Sequence, residues 1–406
     1  MFSVFRRRKA APASESPTNA KDLIDVRELI ASMDVPSHLR RAEAYFEGMT
    51  LANAEFRKPF MGGEAVRLVP LMGVMLSNLE FYGGMKILDF GSGTGWLAQS
   101  LALMGAEVIA VDPSESALRL AEANTMSRHP ELKGRIEYRL FDGEHLPAGS
   151  GEVDRVVCMD AFHHVPNPAT ILGEFARVLA SDGRAVFSEP GEAHSRSAES
   201  QHAMRTFGVI ENDTVLSDIW QMARSAGFEK LRVAAYTDPP LLSLEEFDTL
   251  GRRATAPQTM QKLYDEAYSK LHGGGRQFVL MKKEQERDSR FRDGLSCKLN
   301  AAPSGDGPVL HFDVIARNTG TNSWRKSGNA VGSVNAGLIT RDQKGHWDYE
   351  FRRQHFLSRQ LYPGEEVAFH VTVPRSDLAG RDLFIDLVAE QVIWFGQNGS
   401  PPLQMI

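Results

Sequence analysis

A buried strand, a glycine-rich turn, a helix and a second strand are predicted in succession between residues 85 and 113. The apolar run at 85–90 has glycines on both sides, which is typical of a buried strand. The turn that follows, GSGTG at 91–95, needs positive φ angles and close approach to the backbone. A helical pattern begins at Trp96, and a second apolar strand at 106–111 ends at Asp112.

This order of elements predicts a nucleoside pocket at the carboxyl end of a parallel sheet. Glycines let a ligand lie against bare backbone, and an acid about 20 residues beyond the first glycine is placed to bind ribose hydroxyls. Asp112 is that acid. Dinucleotide-binding proteins have G-x-G-x-x-G, whereas Trp96 stands here where their third glycine would be. The alternative is a glycine-rich turn in another kind of α/β protein.

The alternation of strands and helices continues and predicts a doubly wound, Rossmann-like α/β sheet of seven strands. Further strands are expected at 135–141, 153–159, 185–188, 230–236 and 277–281, with a helical insertion at 243–272. Four predicted strands end on acids, which should therefore gather along one edge of the sheet. These acids are Asp89, Asp112, Asp142 and Asp160.

Changes in composition divide the chain into five parts. Residues 1–20 are predicted to be a disordered tail, 21–84 a helical segment, and 85–283 the nucleoside-binding domain. A mixed-charge linker at 284–293 leads to residues 294–406, where the apolar period changes to two. Leu310, Phe312, Val314 and Ala316 show this period, which with several turn signals predicts a β-sandwich.

Three motifs in the α/β part resemble those of the class I S-adenosylmethionine-dependent methyltransferases of type 11. They are the GSGTG turn preceded by Asp89, FDGEHLP at 141–147, and VDRVVCMDAFHHVPNP at 153–168. The resemblance covers 85–283. It implies an antiparallel hairpin at the end of the sheet, and N-terminal helices that either form a lid over the substrate or serve as a plain packing layer.

The resemblance also implies that S-adenosyl-L-methionine is the cofactor, and it assigns residues to each part of that molecule. Asp112 would take both ribose hydroxyls, while Asp142 and the backbone of its neighbours would bind the adenine amino group. For each acid the alternative is a helix N-cap or a turn former. The cofactor-binding candidates are Asp89, Gly91, Ser92, Gly93, Gly95, Asp112, Phe141, Asp142, Gly143, Met159 and Asp160.

A hydroxyl acceptor benefits from a nearby base, because its own pKa is high. His163, His164 and Glu189 are the candidate catalytic residues above the fourth and fifth strands, and His194 is a candidate substrate-binding residue. The alternative for the double histidine is that it only holds its loop. Because no cysteine cluster occurs, no metal site is predicted.

The C-terminal part resembles the immunoglobulin-like sandwiches of bacterial glycan-processing and polysaccharide-export proteins. The resemblance rests on NTGTNSW (318–324), LYPGEE (361–366) and LVAEQVIWFGQNG (387–399). It implies carbohydrate binding by aromatic rings, with Trp324, Trp347 and Trp394 as candidates. The alternative is that these tryptophans belong to the core of the sandwich.

Composition limits the remaining classes of function. A net charge of −6 argues against nucleic-acid binding through bulk electrostatics. Two cysteines in separate predicted domains, no secretory signal and no window of 18 apolar residues favour a cytoplasmic protein without a membrane span.

We therefore expect a methyltransferase that O-methylates a sugar or a surface glycan. A first alternative is an acceptor that is a small metabolite or a lipid-linked phenol, with the sandwich forming a homo-oligomer. A second alternative is a non-catalytic glycan-binding protein with a vestigial nucleoside pocket.

Overall fold

The computed structural model describes residues 23–234, 275–283, 287–305 and 307–406, together with positions 243–245, 248 and 265. The predicted tail at 1–20 and nearly all of the predicted helical insertion at 243–272 lie outside the described residues. The chain divides into two compact units. Unit 1 comprises residues up to 81 and 85–284, and unit 2 comprises 82–84 and 285–406.

Unit 1 is built on a seven-stranded sheet with the order β3-β2-β1-β4-β5-β7-β6. The first five strands pair in parallel, and β7 pairs antiparallel with both β5 and β6. The doubly wound sheet and the antiparallel hairpin predicted from the sequence are thus confirmed. The strands are β1 (Lys86–Phe90), β2 (Glu107–Asp112), β3 (Ile136–Leu140), β4 (Val153–Met159), β5 (Leu179–Glu189), β6 (Lys230–Ala234) and β7 (Arg276–Met281).

Helices precede the sheet and cover its two faces. The Asp34 side chain accepts a hydrogen bond from the Ser37 N–H and caps α2, and Ser114 caps α5 in the same way through the Ala117 N–H. Helix α7 was not predicted. The helices are α1 (Val26–Ala31), α2 (Val35–Glu47), α3 (Gly62–Leu79), α4 (Trp96–Leu103), α5 (Glu115–Arg128), α6 (Pro168–Val178), α7 (Ala198–Phe207) and α8 (Leu216–Ser225).

The core of unit 1 lies between the central strands and the helices. Strands buried on both faces have few polar residues, and in β1 every residue after Lys86 is buried. Phenylalanines fill one side of the sheet: Phe187 and Phe278 stack with ring centroids 4.5 Å apart, and Phe90 meets Phe175 edge-on. This packing fixes the carboxyl ends of β1, β2, β4 and β5 relative to one another.

Unit 2 consists of two antiparallel sheets whose side chains share one hydrophobic core. The predicted alternation in β9 is confirmed, since Leu310, Phe312, Val314 and Ala316 are all buried. The sheets have the orders β12-β9-β8 and β11-β10-β13-β14, and β15 also pairs with β13. Their elements are β8 (Cys297–Gly305), β9 (Val309–Asn318), β10 (Val334–Arg341), β11 (Trp347–Gln354), β12 (Glu366–Pro374), α9 (Arg375–Leu378), β13 (Asp382–Ala389), β14 (Ile393–Trp394) and β15 (Leu403–Gln404).

The described part of the predicted linker, residues 287–293, is packed into unit 2. Ser289 is completely buried, and the Asn322 side-chain amide donates to the carbonyl oxygens of Phe291 and Asp293. The backbone and polar side chains of this segment form hydrogen bonds within unit 2. Its high charge content therefore does not make it a flexible linker. Among the described residues, no helix is long and apolar enough to cross a membrane.

Candidate active site

The glycine turn between β1 and α4 adopts the left-handed backbone that its sequence requires. Gly91, Gly93 and Gly95 have φ angles of 69°, 49° and 74°. A Cβ atom on Gly91 would lie 2.4 Å from the Cβ of Ala161, which leaves no room for a side chain. The N–H groups of Gly91 and Ser92 both donate to the Val111 carbonyl, and these bonds hold the turn against the end of β2.

Asp112 connects the end of β2 to this turn. Its Oδ2 accepts a hydrogen bond from the Gly93 N–H at 2.8 Å, and its Oδ1 accepts one from the Ser114 N–H at 2.9 Å. Burial raises the pKa of the Asp112 carboxyl to about 6, although both hydrogen bonds favour the ionised form. Two backbone N–H groups therefore hold the Asp112 carboxylate in position at the end of β2.

A cavity of about 470 Å³ opens over the carboxyl ends of these strands. Its volume falls in the range of small-molecule sites, about 300–1,000 Å³. The structure brings most of the predicted cofactor-binding residues together in its lining, whereas Asp89, Gly95 and Asp142 are outside it. Those in the lining are Gly91, Ser92, Gly93, Asp112, Phe141, Gly143, Met159 and Asp160.

Three buried polar atoms in or near this cavity have no hydrogen-bond partner among the described residues. They are Asp89 Oδ2, Ser92 Oγ and Asn167 Oδ1. Burial raises the pKa of Asp89 to about 7, with a smaller contribution from the charge of Asp112. Unpaired buried polar atoms are rare in folded proteins, and beside a glycine turn and a ribose-directed acid they fit a polar ligand such as S-adenosylmethionine.

Asp142 lies outside the cavity lining, whereas Asp160 is part of it. The Asp142 Oδ1 accepts from the N–H groups of Glu144 and His145, and its side chain is 61% exposed. The carboxylate thus forms the local turn, while its neighbours Phe141 and Gly143 face the cavity. Asp160 has a φ of 50° and pairs with Arg67 at 3.1 Å. The roles implied for both acids stay predictions.

Glu189, at the end of β5, organises the loop that follows β4. Its Oε1 accepts from the N–H groups of Ala161 and Phe162 at 3.1 and 3.0 Å, and its Oε2 lies 2.7 Å from His163 Nδ1. Burial lowers the pKa of His163, but the hydrogen bond and charge of Glu189 outweigh it and raise that pKa above its usual value. His163 and Glu189 form a buried pair outside the cavity lining.

His164 is the candidate base that lines the cavity. Its Nδ1 lies within hydrogen-bond distance of the Ile210 carbonyl oxygen, which requires the proton on Nδ1 and leaves Nε2 with its lone pair. Burial, together with the charge of His163, lowers the pKa of His164 to about 4, so the imidazole is neutral.

His194 does not line the cavity but lies next to the histidine pair. Its Nε2 is 2.8 Å from Glu211 Oε2, and its ring centroid is 5.0 Å from that of His163. Glu211 does line the cavity. Sequence reasoning did not identify Glu211, because it lies in a segment without periodicity and only the fold brings it to the histidines.

The helices α2 and α7 supply an aromatic wall that the sequence did not reveal. Tyr45, Phe46 and Phe207 line the cavity, and the rings of Tyr45 and Phe207 meet edge-on with centroids 6.2 Å apart. The capping serine of α7, Ser197, and the spacing of Met204 and Phe207 were signals for that helix. No local signal indicated that either helix would face the glycine turn.

The tryptophans of unit 2 have different surroundings. Trp324 is completely buried and packs edge-on against Phe395, so no face of its ring is open to a sugar. This corrects its assignment as a substrate-binding residue. Trp394 is half-buried with the Arg353 guanidinium 4.3 Å from its ring centroid, and Trp347 is 39% exposed. A role of Trp394 in sugar binding stays a prediction, and so does the immunoglobulin-like resemblance.

Comparison with known proteins shows which proteins the α/β unit is similar to. Residues 88–187 match the family described as a methyltransferase domain. The chain is 31% identical over 175 residues to a ubiquinone biosynthesis O-methyltransferase of Thiobacillus denitrificans, covering 39% of this chain and 70% of that protein. A protein of the same name from Bordetella parapertussis is 31% identical, covering 36% and 63%.

Among solved structures, geranyl diphosphate C-methyltransferase from Streptomyces coelicolor superposes with a TM-score of 0.41 at 13% identity, covering 60% of this chain and 97% of that one. The family match covers the glycine turn, Asp112, Asp160 and His164, all of which contribute to the lining of the cavity. The chain belongs to the class I S-adenosylmethionine-dependent methyltransferases, and S-adenosylmethionine is its cofactor.

Proposed function

We propose that this protein O-methylates a phenolic hydroxyl on a small aromatic acceptor. The observation that carries the proposal is that His164 lines the same cavity as the glycine turn and Asp112. A candidate base thus faces the space next to the predicted cofactor site. The relatives named ubiquinone biosynthesis O-methyltransferases support transfer to oxygen, and their name favours a phenolic acceptor over the glycan that we expected from the sequence.

The aromatic wall of the cavity is suited to a flat apolar acceptor. Tyr45, Phe46 and Phe207 contribute aromatic rings, and Leu68 adds an aliphatic side chain. Aromatic rings prefer offset or edge-to-face neighbours, and an acceptor ring among these side chains would gain such contacts.

Helix α2 also supports the predicted lid. Its Glu43 carboxylate accepts hydrogen bonds from Ser114 Oγ at 2.7 Å and from the Ser116 N–H at 3.2 Å, which attach the helix to the start of α5. Its Phe46 ring lies 3.5 Å from the position of a Cβ on Gly93. We propose that α2 covers the cofactor pocket and excludes water from it.

The residues of the chain position the acceptor and remove its proton. S-adenosylmethionine, when bound, supplies an electrophilic methyl group whose bond to sulfur breaks with the electron pair left on sulfur. Asp112 and the glycine turn would hold the ribose and methionine parts, and the aromatic wall would orient the acceptor oxygen towards them. His164 Nε2 would accept the hydroxyl proton as the oxygen forms its new bond to carbon.

Transfer of label from tritiated S-adenosylmethionine to a panel of phenols, catechols and sugars tests this proposal. We expect label in phenolic or catecholic acceptors, and a large loss of the turnover number in His164→Ala with little change in cofactor affinity. Label only in sugars would overturn the phenolic assignment in favour of the glycan acceptor. Binding of S-adenosylhomocysteine without transfer to any acceptor would favour the non-catalytic alternative.

A further inference from the structure

Next to the cavity, three side chains with metal-binding atoms converge. His163, His194 and Glu211 each offer one ligand atom, and these atoms all lie within 4.8 Å of one another. Glu211 Oε2 is 2.8 Å from His194 Nε2 and 3.7 Å from His163 Nε2. We propose that these three residues bind a divalent metal ion, and that zinc fits them best. The sequence offered no metal-ligand spacing, because the three residues lie on separate segments.

The distances suit a metal ion with nitrogen and oxygen ligands. Zinc binds imidazole nitrogens and carboxylate oxygens at about 2.0–2.2 Å, so neighbouring ligand atoms in a tetrahedral site lie roughly 3–4 Å apart. The separation of 3.7 Å between His163 Nε2 and Glu211 Oε2 lies within that range, and the separation of 2.8 Å between His194 Nε2 and Glu211 Oε2 lies just below it. All three side chains are largely shielded from solvent, with exposures of 6%, 24% and 10% for His163, His194 and Glu211.

A buried carboxylate orients the first of these histidines. Glu189 Oε2 lies 2.7 Å from His163 Nδ1, which leaves Nε2 directed at Glu211. Histidines that bind metals commonly donate their other ring N–H to a carboxylate in this way, and the contact fixes the ring and raises its basicity as a ligand. Glu189 is itself fixed by the backbone N–H groups of Ala161 and Phe162. The His163 ring is therefore oriented before any ion binds.

The donor set separates zinc from the hard cations. Calcium and magnesium prefer six or more oxygen ligands, and two imidazoles with one carboxylate do not provide them. Two histidines and one glutamate are a ligand set found in zinc sites that keep one coordination position open. Cobalt(II) would occupy the same set and gives an optical signal, because zinc has a filled d shell and cobalt does not.

The open position would face the acceptor space. Of the three ligands, Glu211 lines the cavity, as does the neighbouring His164. If the proposed function holds, the ion binds the acceptor's hydroxyl oxygen, or a neighbouring oxygen of a catechol, and holds it beside His164. A bound cation also lowers the pKa of a coordinated hydroxyl, and the proton would pass to His164 as before.

Metal binding can be measured separately from methyl transfer. The full chain, made without a polyhistidine tag and treated with chelator, would be titrated with zinc by calorimetry and with cobalt(II) by visible absorption. We expect about one ion per chain and a tetrahedral cobalt spectrum. Glu211→Gln and His194→Gln preserve side-chain size and should abolish both signals, whereas Glu189→Gln should weaken zinc binding by about 10–100-fold. His202→Ala removes an exposed histidine of the same helical region and is the matched control.

Each outcome decides the inference. The metal site would be overturned if the wild type failed to bind zinc or cobalt near one equivalent, or if Glu211→Gln bound them equally well. The proposed function would still stand in that case if phenol methylation persisted in chelator. Stoichiometric binding that is lost in both ligand variants and kept in His202→Ala supports the metal site. Such binding with no transfer to any phenol would uphold the metal site while the proposed function fails.

Discussion

The carboxylate of Asp112 accepts a hydrogen bond from the Gly93 N–H at 2.8 Å. This bond links the end of β2 to the middle of the glycine turn that follows the neighbouring strand β1. The acid is therefore held in place by the same turn that makes room for the cofactor. Because Asp112 also holds Ser114 at the start of α5, one side chain fixes three segments around the cavity.

Replacement of Asp112 by alanine should weaken binding of S-adenosylhomocysteine by about 10- to 150-fold. Hydrogen bonds to a charged group contribute about 1.5–3 kcal/mol, and the variant loses those that the carboxylate would make to the ribose. Calorimetry at neutral pH measures the change. Asp218→Asn, an exposed acid in the first turn of α8, is the control and should bind normally. Unchanged affinity in Asp112→Ala would remove the ribose role.

The pH dependence of cofactor binding should report the same carboxyl group. Burial raises the pKa of Asp112 to about 6, and ribose hydroxyls donate to its ionised form. Affinity for S-adenosylhomocysteine should therefore be full above pH 6 and fall as pH decreases through that value. Asp112→Asn should have lower affinity and lack this transition. A wild-type transition that persists in Asp112→Asn would assign the titration to another group.

Gly91→Ala should impair folding of the cofactor site. The new Cβ would lie 2.4 Å from the Cβ of Ala161 at a φ of 69°, so the turn or the loop after β4 must shift. Strain of this kind costs about 1–3 kcal/mol, and the cofactor should bind more weakly as well. Denaturant unfolding and calorimetry measure the two effects.

Gly173→Ala is the matched control for that substitution. Gly173 lies in α6 with nothing within 4 Å of the added methyl group, and alanine there should stabilise the protein by up to about 1 kcal/mol. Equal effects of the two substitutions would contradict the steric argument for Gly91.

Trp324→Ala should destabilise unit 2, because Trp324 is a core residue and not part of an acceptor site. The ring is completely buried against Phe395, and truncation of a large buried aromatic side chain costs about 3–5 kcal/mol. Unfolding of the full chain in denaturant, followed by fluorescence, measures the loss. Trp347→Ala, which removes a ring that is 39% exposed, should cost much less. A similar cost for both would contradict the core assignment of Trp324.

Local patterns in the sequence determined the sheet and most of the cofactor side of the cavity. The glycine turn, Asp112 and the strand ends at Met159 and Glu189 are adjacent in the chain to the strands that place them, so the parallel order of the sheet brings them to one edge. The period of two in β9 likewise determined which residues of unit 2 are buried, because successive side chains on a strand face opposite sides.

Only the tertiary structure decided what faces that edge. The aromatic wall of α2 and α7, the contact of Glu211 with His163 and His194, and the burial of Trp324 depend on packing between segments that lie far apart in the chain. His163 and His164 show the difference most clearly. They are identical neighbours in sequence, yet one binds a buried glutamate and the other faces the cavity, because the short 3-10 helix after β4 turns their side chains to different partners.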